Sequence, residues 1–64
     1  MSNFFEESVK RLTTEGLYFL LTDIKQRIGD AHLSENRDYL QQQQQRADIV
    51  KKEIDSRSAA DKNK

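Results

Sequence analysis

The chain has 64 residues, of which 34% are charged and 34% hydrophobic, and its 11 basic residues balance 11 acidic ones. A chain this short buries only about 60% of the surface that its unfolded form exposes, so its own core is marginal. Because it contains no Cys, neither disulfides nor thiolate metal sites can supplement that core. The balanced charge gives no general attraction to DNA or to an anionic membrane. These limits favour a narrow helical core that another chain completes.

The expected fold class is all-α, a two-helix antiparallel hairpin. There is no Pro, and the chain contains only two Gly. Acidic residues precede basic residues at i,i+4 in five pairs, such as Glu53 with Arg57, and this order stabilises a helix. The hairpin is expected to occupy residues 1–55, followed by a flexible C-terminal tail over residues 56–64, where no apolar period remains.

The first predicted helix begins at Asn3, whose side chain can cap it, with Glu6 three residues later as in a capping box. Its predicted end is Gly29, because Gly tolerates the left-handed conformation that follows many helices. Thr13 and Gly16 lower the helix stability in the middle of this predicted helix, since Thr can cap a new helix and an interior Gly costs about 1 kcal/mol relative to Ala. We expect a continuous helix, with a kink or split near Gly16, and hence three helices, as the alternative.

The second predicted helix follows a short connection over residues 30–32, is capped by Asp30 or Ser34, and runs from Ser34 into the mid-fifties. A heptad repeat supports it, because apolar residues recur along one narrow stripe. One heptad position holds Leu33, Leu40, Ala47 and Ile54, and the other holds Asn36, Gln43, Val50 and Arg57. This stripe is typical of a helix that packs on one neighbour.

The first helix carries more apolar surface than such a neighbour can cover. Its apolar residues span about half of the circumference, wider than the ~100° stripe of an ordinary surface helix. Such a surplus indicates an interaction site. The simplest cover is a second copy, which would give a homodimeric four-helix bundle, and a larger protein is the alternative. The residues expected at this interface are Phe4, Phe5, Val9, Leu12, Gly16, Phe19 and Leu20.

A second candidate surface on the first helix combines basic and aromatic residues. Arg11, Tyr18 and Lys25 recur at seven-residue spacing, and Arg27 is nearby, a combination that suits contacts with unpaired RNA bases. In chain length, turn position and this outward aromatic residue, the chain resembles the Rop-type RNA-binding proteins, which are dimers of short helical hairpins. The resemblance implies an RNA-binding dimer that uses these four residues. We expect a solvated face here, with RNA binding as the alternative.

No motif for catalysis, for a cofactor or for a metal site is present, and His32 stands alone in the expected connection. We therefore expect a non-enzymatic protein-interaction module, a regulator, inhibitor or adaptor/chaperone, of a kind common among bacterial and phage regulators and among the helical-hairpin chaperones of secretion needle subunits. A structural component of a larger assembly is a further alternative. The longest apolar run, over residues 17–21, is too short to cross a membrane, and the N-terminus lacks the basic segment of a signal peptide. The cytoplasm is the expected location.

Overall fold

The computed structural model describes residues 4–62, and this range consists of three helices with short connections. They are α1 over Phe4–Arg11, α2 over Thr14–Ser34 and α3 over Arg37–Lys62. The expectation of an all-α fold is therefore confirmed over the described range. Helices α2 and α3 form an antiparallel pair, and α1 packs on α3. Within this range, no helix combines the length and the apolar character needed to cross a membrane.

A break at residues 12–13 separates α1 from α2, so the expectation of one continuous first helix is wrong and the three-helix alternative is correct. Thr13 has extended backbone angles, φ −67° and ψ 163°, and its hydroxyl oxygen accepts a hydrogen bond of 3.0 Å from the Gly16 N–H. This is an N-cap, which satisfies one backbone donor at the start of α2. A Cβ atom on Gly16 would lie only 3.2 Å from the Thr13 Oγ1 atom, so the Gly fits the cap closely.

Helix α2 does not end at Gly29, and the predicted boundary there is wrong. It continues because Ala31, which is 1% exposed, carries the buried face of the helix one turn further. The helix ends with two capping hydrogen bonds. The Glu35 N–H donates to the His32 carbonyl oxygen at 3.2 Å, and the Asn36 N–H donates to the Ala31 carbonyl oxygen at 3.0 Å. This is a Schellman motif, with Glu35 in the left-handed conformation that Gly usually adopts, at φ 55° and ψ 36°.

Helix α3 has a different cap from either one predicted. The Asn36 side-chain oxygen accepts a hydrogen bond of 3.2 Å from the Tyr39 N–H, as an N-cap residue does. Asp30 and Ser34 lie inside α2 instead, where the Ser34 hydroxyl donates to the Asp30 carbonyl oxygen at 3.0 Å. The predicted connection over residues 30–32 is therefore wrong by one helical turn, and Asn3, the predicted first cap, lies outside the described residues.

The core lies between the facing sides of the three helices. Its buried residues are Val9, Leu17, Leu21, Ile24, Ala47, Val50 and Ile54, and Phe5, Leu20, Ile28 and Ile49 pack against them. The heptad predicted for the second helix is confirmed over its central part, where Gln43 is also buried at 3% exposure. Leu33 is a correction, because it belongs to α2 and is 87% exposed.

The prediction that regular structure ends near residue 55 is also wrong, because α3 continues to Lys62. Arg57 supplies a reason, since its guanidinium group joins this part of α3 to the other two helices. It donates to the Glu53 carboxylate at 2.9 Å, to the Thr14 hydroxyl at 3.2 Å and to the Lys10 carbonyl oxygen at 3.2 Å. The last two bonds hold the α1–α2 junction against α3.

Candidate interaction surface

Helix α2 carries a second heptad pattern on the side that faces away from the core. All of its residues are exposed, and a Cβ atom built on Gly29 would meet nothing within 4 Å beyond the adjacent residues and backbone of its own helix. At 100° per residue they lie opposite the buried positions of the same helix. The members, which we call the outer seam, are Glu15, Phe19, Thr22, Gln26, Gly29 and Leu33. The spacing of four and three residues in alternation is that of a coiled-coil stripe.

Large apolar side chains on and beside the outer seam are open to solvent. Phe19 is 75% exposed, Leu33 is 87% exposed, and Tyr18, next to the seam, is 53% exposed. Tyr18 and Phe19 line a shallow depression of about 230 Å³ together with Glu15 and Thr22. Exposed aromatic residues around a depression are typical of a protein-binding surface.

Charged residues of opposite sign flank the outer seam. Lys25 lies on one side of it, and Asp23 and Asp30 lie on the other, as the 100° step per residue dictates. The Asp23 carboxylate accepts a hydrogen bond of 2.8 Å from the Arg27 Nε atom, which raises the pKa of Arg27 and keeps it cationic. Between residues 4 and 62, neither the Lys25 ammonium group nor the Asp30 carboxylate forms an ion pair. Both charges are therefore available on the surface.

The structure places four of the predicted interface residues inside the chain's own packing. Val9 is 1% exposed, and Phe5 and Leu20 are half-buried against the core. The Phe5 ring also lies 5.0 Å from the Arg46 guanidinium carbon, a cation–π contact. Gly16 is half-buried, and a Cβ atom there would be 3.6 Å from Leu12. The break at Thr13 accounts for the burial of Phe5 and Val9, because it frees α1 from the helical register of α2 and lets α1 turn towards α3.

The remaining predicted interface residues, Phe4, Leu12 and Phe19, are exposed at 78%, 38% and 75%. The predicted interface does not include Leu33, because the predicted heptad places it in the buried stripe of the second helix, whereas it is 87% exposed on α2. Continuing the helical pattern past Gly29 would have found it, since Leu33 falls on the same side as Phe19. The exposed apolar surface therefore extends along α2, away from α1.

The four predicted RNA-contact residues do not share one surface. Arg11 lies in α1, and the extended backbone at Thr13 removes the seven-residue register between Arg11 and Tyr18. Tyr18 and Lys25 keep that register within α2. Arg27 projects about 180° away from Tyr18 around the helix, and it donates to Asp23 at 2.8 Å and to the Tyr39 hydroxyl at 3.1 Å.

A second groove, of about 330 Å³, lies between α1 and α3, and both acidic and basic residues line it. Its lining residues are Glu6, Glu7, Val9, Lys10, Ile49, Lys52 and Glu53. Among residues 4–62, no group of three or more His, Cys, Asp or Glu side chains is placed to hold a metal ion. His32 is exposed near the end of α2.

Comparisons of this chain with protein-family models, with curated proteins and with solved structures give no match. The resemblance in layout to Rop-type hairpins therefore stays an expectation from chain length and residue pattern.

Proposed function

We propose that this chain is a small non-enzymatic protein-interaction module, which acts as a regulator, inhibitor or adaptor by binding another protein through the outer seam of α2. The partner is a second copy of the chain or a larger protein. The observation that carries the proposal is the exposure of Phe19 and Leu33, at 75% and 87%, on a helix whose opposite side already packs in the core.

Burial of the exposed apolar side chains of this surface would contribute favourably to binding. Full burial of one Phe or Leu side chain contributes about 1.5–3 kcal/mol. Phe19 and Leu33 together therefore offer about 3–6 kcal/mol from one copy of the chain, before the costs of association. Tyr18 adds aromatic area with a hydroxyl group that can donate a hydrogen bond, a combination that is enriched at the centres of interfaces.

The polar residues of the outer seam also support binding as the role of this surface. Thr22 and Gln26 are neutral and can both donate and accept hydrogen bonds, and Glu15, at the N-terminal end, is the one charged member. The chain as a whole has 34% charged residues, whereas the seam has one charged residue among its six members. Depletion of charge around aromatic residues is the composition of an interface centre.

Site-specific photo-crosslinking tests the proposal in cells that produce the protein. A photoreactive phenylalanine analogue replaces Phe19 or Leu33 in separate variants, and the matched controls carry it at Gln44 or Lys51, which are exposed on α3. We expect crosslinks to protein at the two seam positions and much weaker ones at the controls. Substitution F19S should abolish crosslinking through position 33 while leaving the circular dichroism spectrum unchanged. Equal crosslinking at seam and control positions would show that the outer seam is not a binding surface.

A further inference from the structure

We propose that the outer seam binds a second copy of this chain, with the two α2 helices parallel and in register. This inference rests on the proposed function, because it assigns the partner of the same surface. Two independent features of α2 carry it: the heptad spacing of the seam residues and the distribution of unpaired charges on its two sides.

The heptad spacing determines which residues meet. In a parallel two-stranded coiled coil each seam residue faces its own counterpart. Phe19 and Leu33 then form two apolar layers, and Gln26 between them meets Gln26 of the second copy, where the two amide groups can exchange hydrogen bonds. A polar residue at such a position fixes register and partner number while lowering stability.

The small and polar layers between these residues are compatible with the pairing. A Cβ atom built on Gly29 would meet nothing within 4 Å beyond the adjacent residues and backbone of its own helix, so the two helix backbones can approach closely at this layer. Thr22, the seam residue on the N-terminal side of Gln26, contributes a short side chain to its layer. Glu15 is the unfavourable layer, but it lies in the first turn of α2, where both carboxylates remain in water.

The flanking charges determine the orientation. In a parallel pair, the residue directly before Phe19, Gln26 or Leu33 faces the residue five positions further along in the second copy. Lys25 then faces Asp30 of the second copy, and Tyr18 faces Asp23, each twice by symmetry. Asp23 uses its Oδ2 atom for Arg27, which leaves the Oδ1 atom to accept from the Tyr18 hydroxyl.

An antiparallel pair would give the opposite electrostatics. In that arrangement, residues on one flank of the seam face residues on the same flank in the second copy. Asp23 and Asp30 then meet acidic residues, and Lys25 meets no acidic residue. Like charges across an interface suppress that arrangement. The charge pattern therefore favours the parallel pair, and α2 would lie between α3 and the second α2. Helices α2 and α3 of the two copies would form a row of four, with each α1 packed on its own α3, which differs from the compact four-helix bundle expected from the sequence.

A charge exchange tests this pairing by sedimentation equilibrium over a range of concentrations. We expect K25D and D30K each to weaken dimerisation by about tenfold, the size expected when two exposed ion pairs become repulsive. The double variant K25D/D30K should restore it, because the two charges attract only between copies. The control K51D, on the exposed side of α3, should leave dimerisation unchanged. The proposed pairing is overturned if the single exchanges leave the dimer dissociation constant unchanged, or if the double variant does not recover dimerisation.

Cysteine crosslinking tests orientation directly, since the chain has no Cys of its own. Under mild oxidation we expect T22C to form a disulfide-linked dimer and Q44C, on α3, to stay monomeric. An antiparallel pair, in which Asp23 faces Asp30 and seam residues of alternate positions meet, would instead link T22C to L33C in a mixture of the two variants, and this result would overturn the parallel orientation. If the chain stays monomeric in every case while Phe19 crosslinks to a different protein, the second copy is excluded and the proposed function stands. Loss of both signals overturns both proposals.

Discussion

Replacement of Arg57 by Met should release α1 and the start of α2 from α3. The Arg57 guanidinium group donates to three acceptors, the Glu53 carboxylate, the Thr14 hydroxyl and the Lys10 carbonyl oxygen. Met keeps much of the aliphatic stem and removes every donor. The substitution therefore separates the hydrogen bonds of Arg57 from the packing of its side chain.

The expected loss of stability follows from these three contacts. A hydrogen bond to a charged group contributes about 1.5–3 kcal/mol, and the i,i+4 pair with Glu53 adds about 0.3–0.5 kcal/mol when exposed. The Arg57 side chain is 25% exposed, so solvent screening places the two bonds between helices at or below the low end. Together we expect R57M to lower the free energy of unfolding by about 2–3 kcal/mol. A chain of 64 residues has only about 3–10 kcal/mol in total.

Urea unfolding followed by circular dichroism measures this loss, and hydrogen exchange locates it. The amides of α1 should exchange faster in R57M by a larger factor than the amides in the middle of α2, because α1 depends on α3 for its packing. K51M is the matched control, since Lys51 is exposed on the same helix. If R57M and K51M differ by less than about 0.5 kcal/mol, or if α1 exchange is unchanged, Arg57 does not hold the helices together.

Substitutions at four further positions test the ends of α2 and its two glycines by the same urea assay. T13A should lose about 1 kcal/mol because it removes the N-cap of α2, whereas T13S should lose little, and equal losses would argue against the cap. At Glu35, whose φ is 55°, E35G should be about 1 kcal/mol more stable than E35A, since only Gly adopts this conformation without strain; the reverse order would contradict the Schellman geometry. G29A should gain about 0.5–1 kcal/mol, and G16A should gain less, because its Cβ atom would lie 3.2 Å from the Thr13 Oγ1 atom.

Much of the fold could be predicted because it depends on local patterns. The order of charges and the absence of Pro indicated helices, and the heptad of the second helix located the buried Ala47, Val50 and Ile54. The turn could not be placed, because Gly29 is the more favourable helix terminator by residue type. The chain ends α2 at Ser34 instead, where Glu35 adopts the left-handed conformation in place of a Gly and the buried Ala31 extends the packed side of the helix beyond Gly29.

The candidate surface could be predicted only in part, and the reason lies in the break at Thr13. The exposure of Phe19 follows from the wide apolar arc of the first helix. The burial of Val9 does not follow from that arc, because a continuous helix would have placed Val9 and Phe19 on the same side. A single cap residue thus changes which side chains reach the core, and residue periodicity does not contain that information.

The way α1 is attached has a consequence for the order of folding. Helices α2 and α3 are joined through Glu35 and Asn36 alone, so their contacts close short loops first and grow outward from the turn. The contacts of α1 with α3 join residues more than 40 positions apart, as between Lys10 and Arg57. We therefore expect the hairpin to form the folding nucleus and α1 to dock after the transition state. Substitutions in α1 will then accelerate unfolding and leave the folding rate almost unchanged.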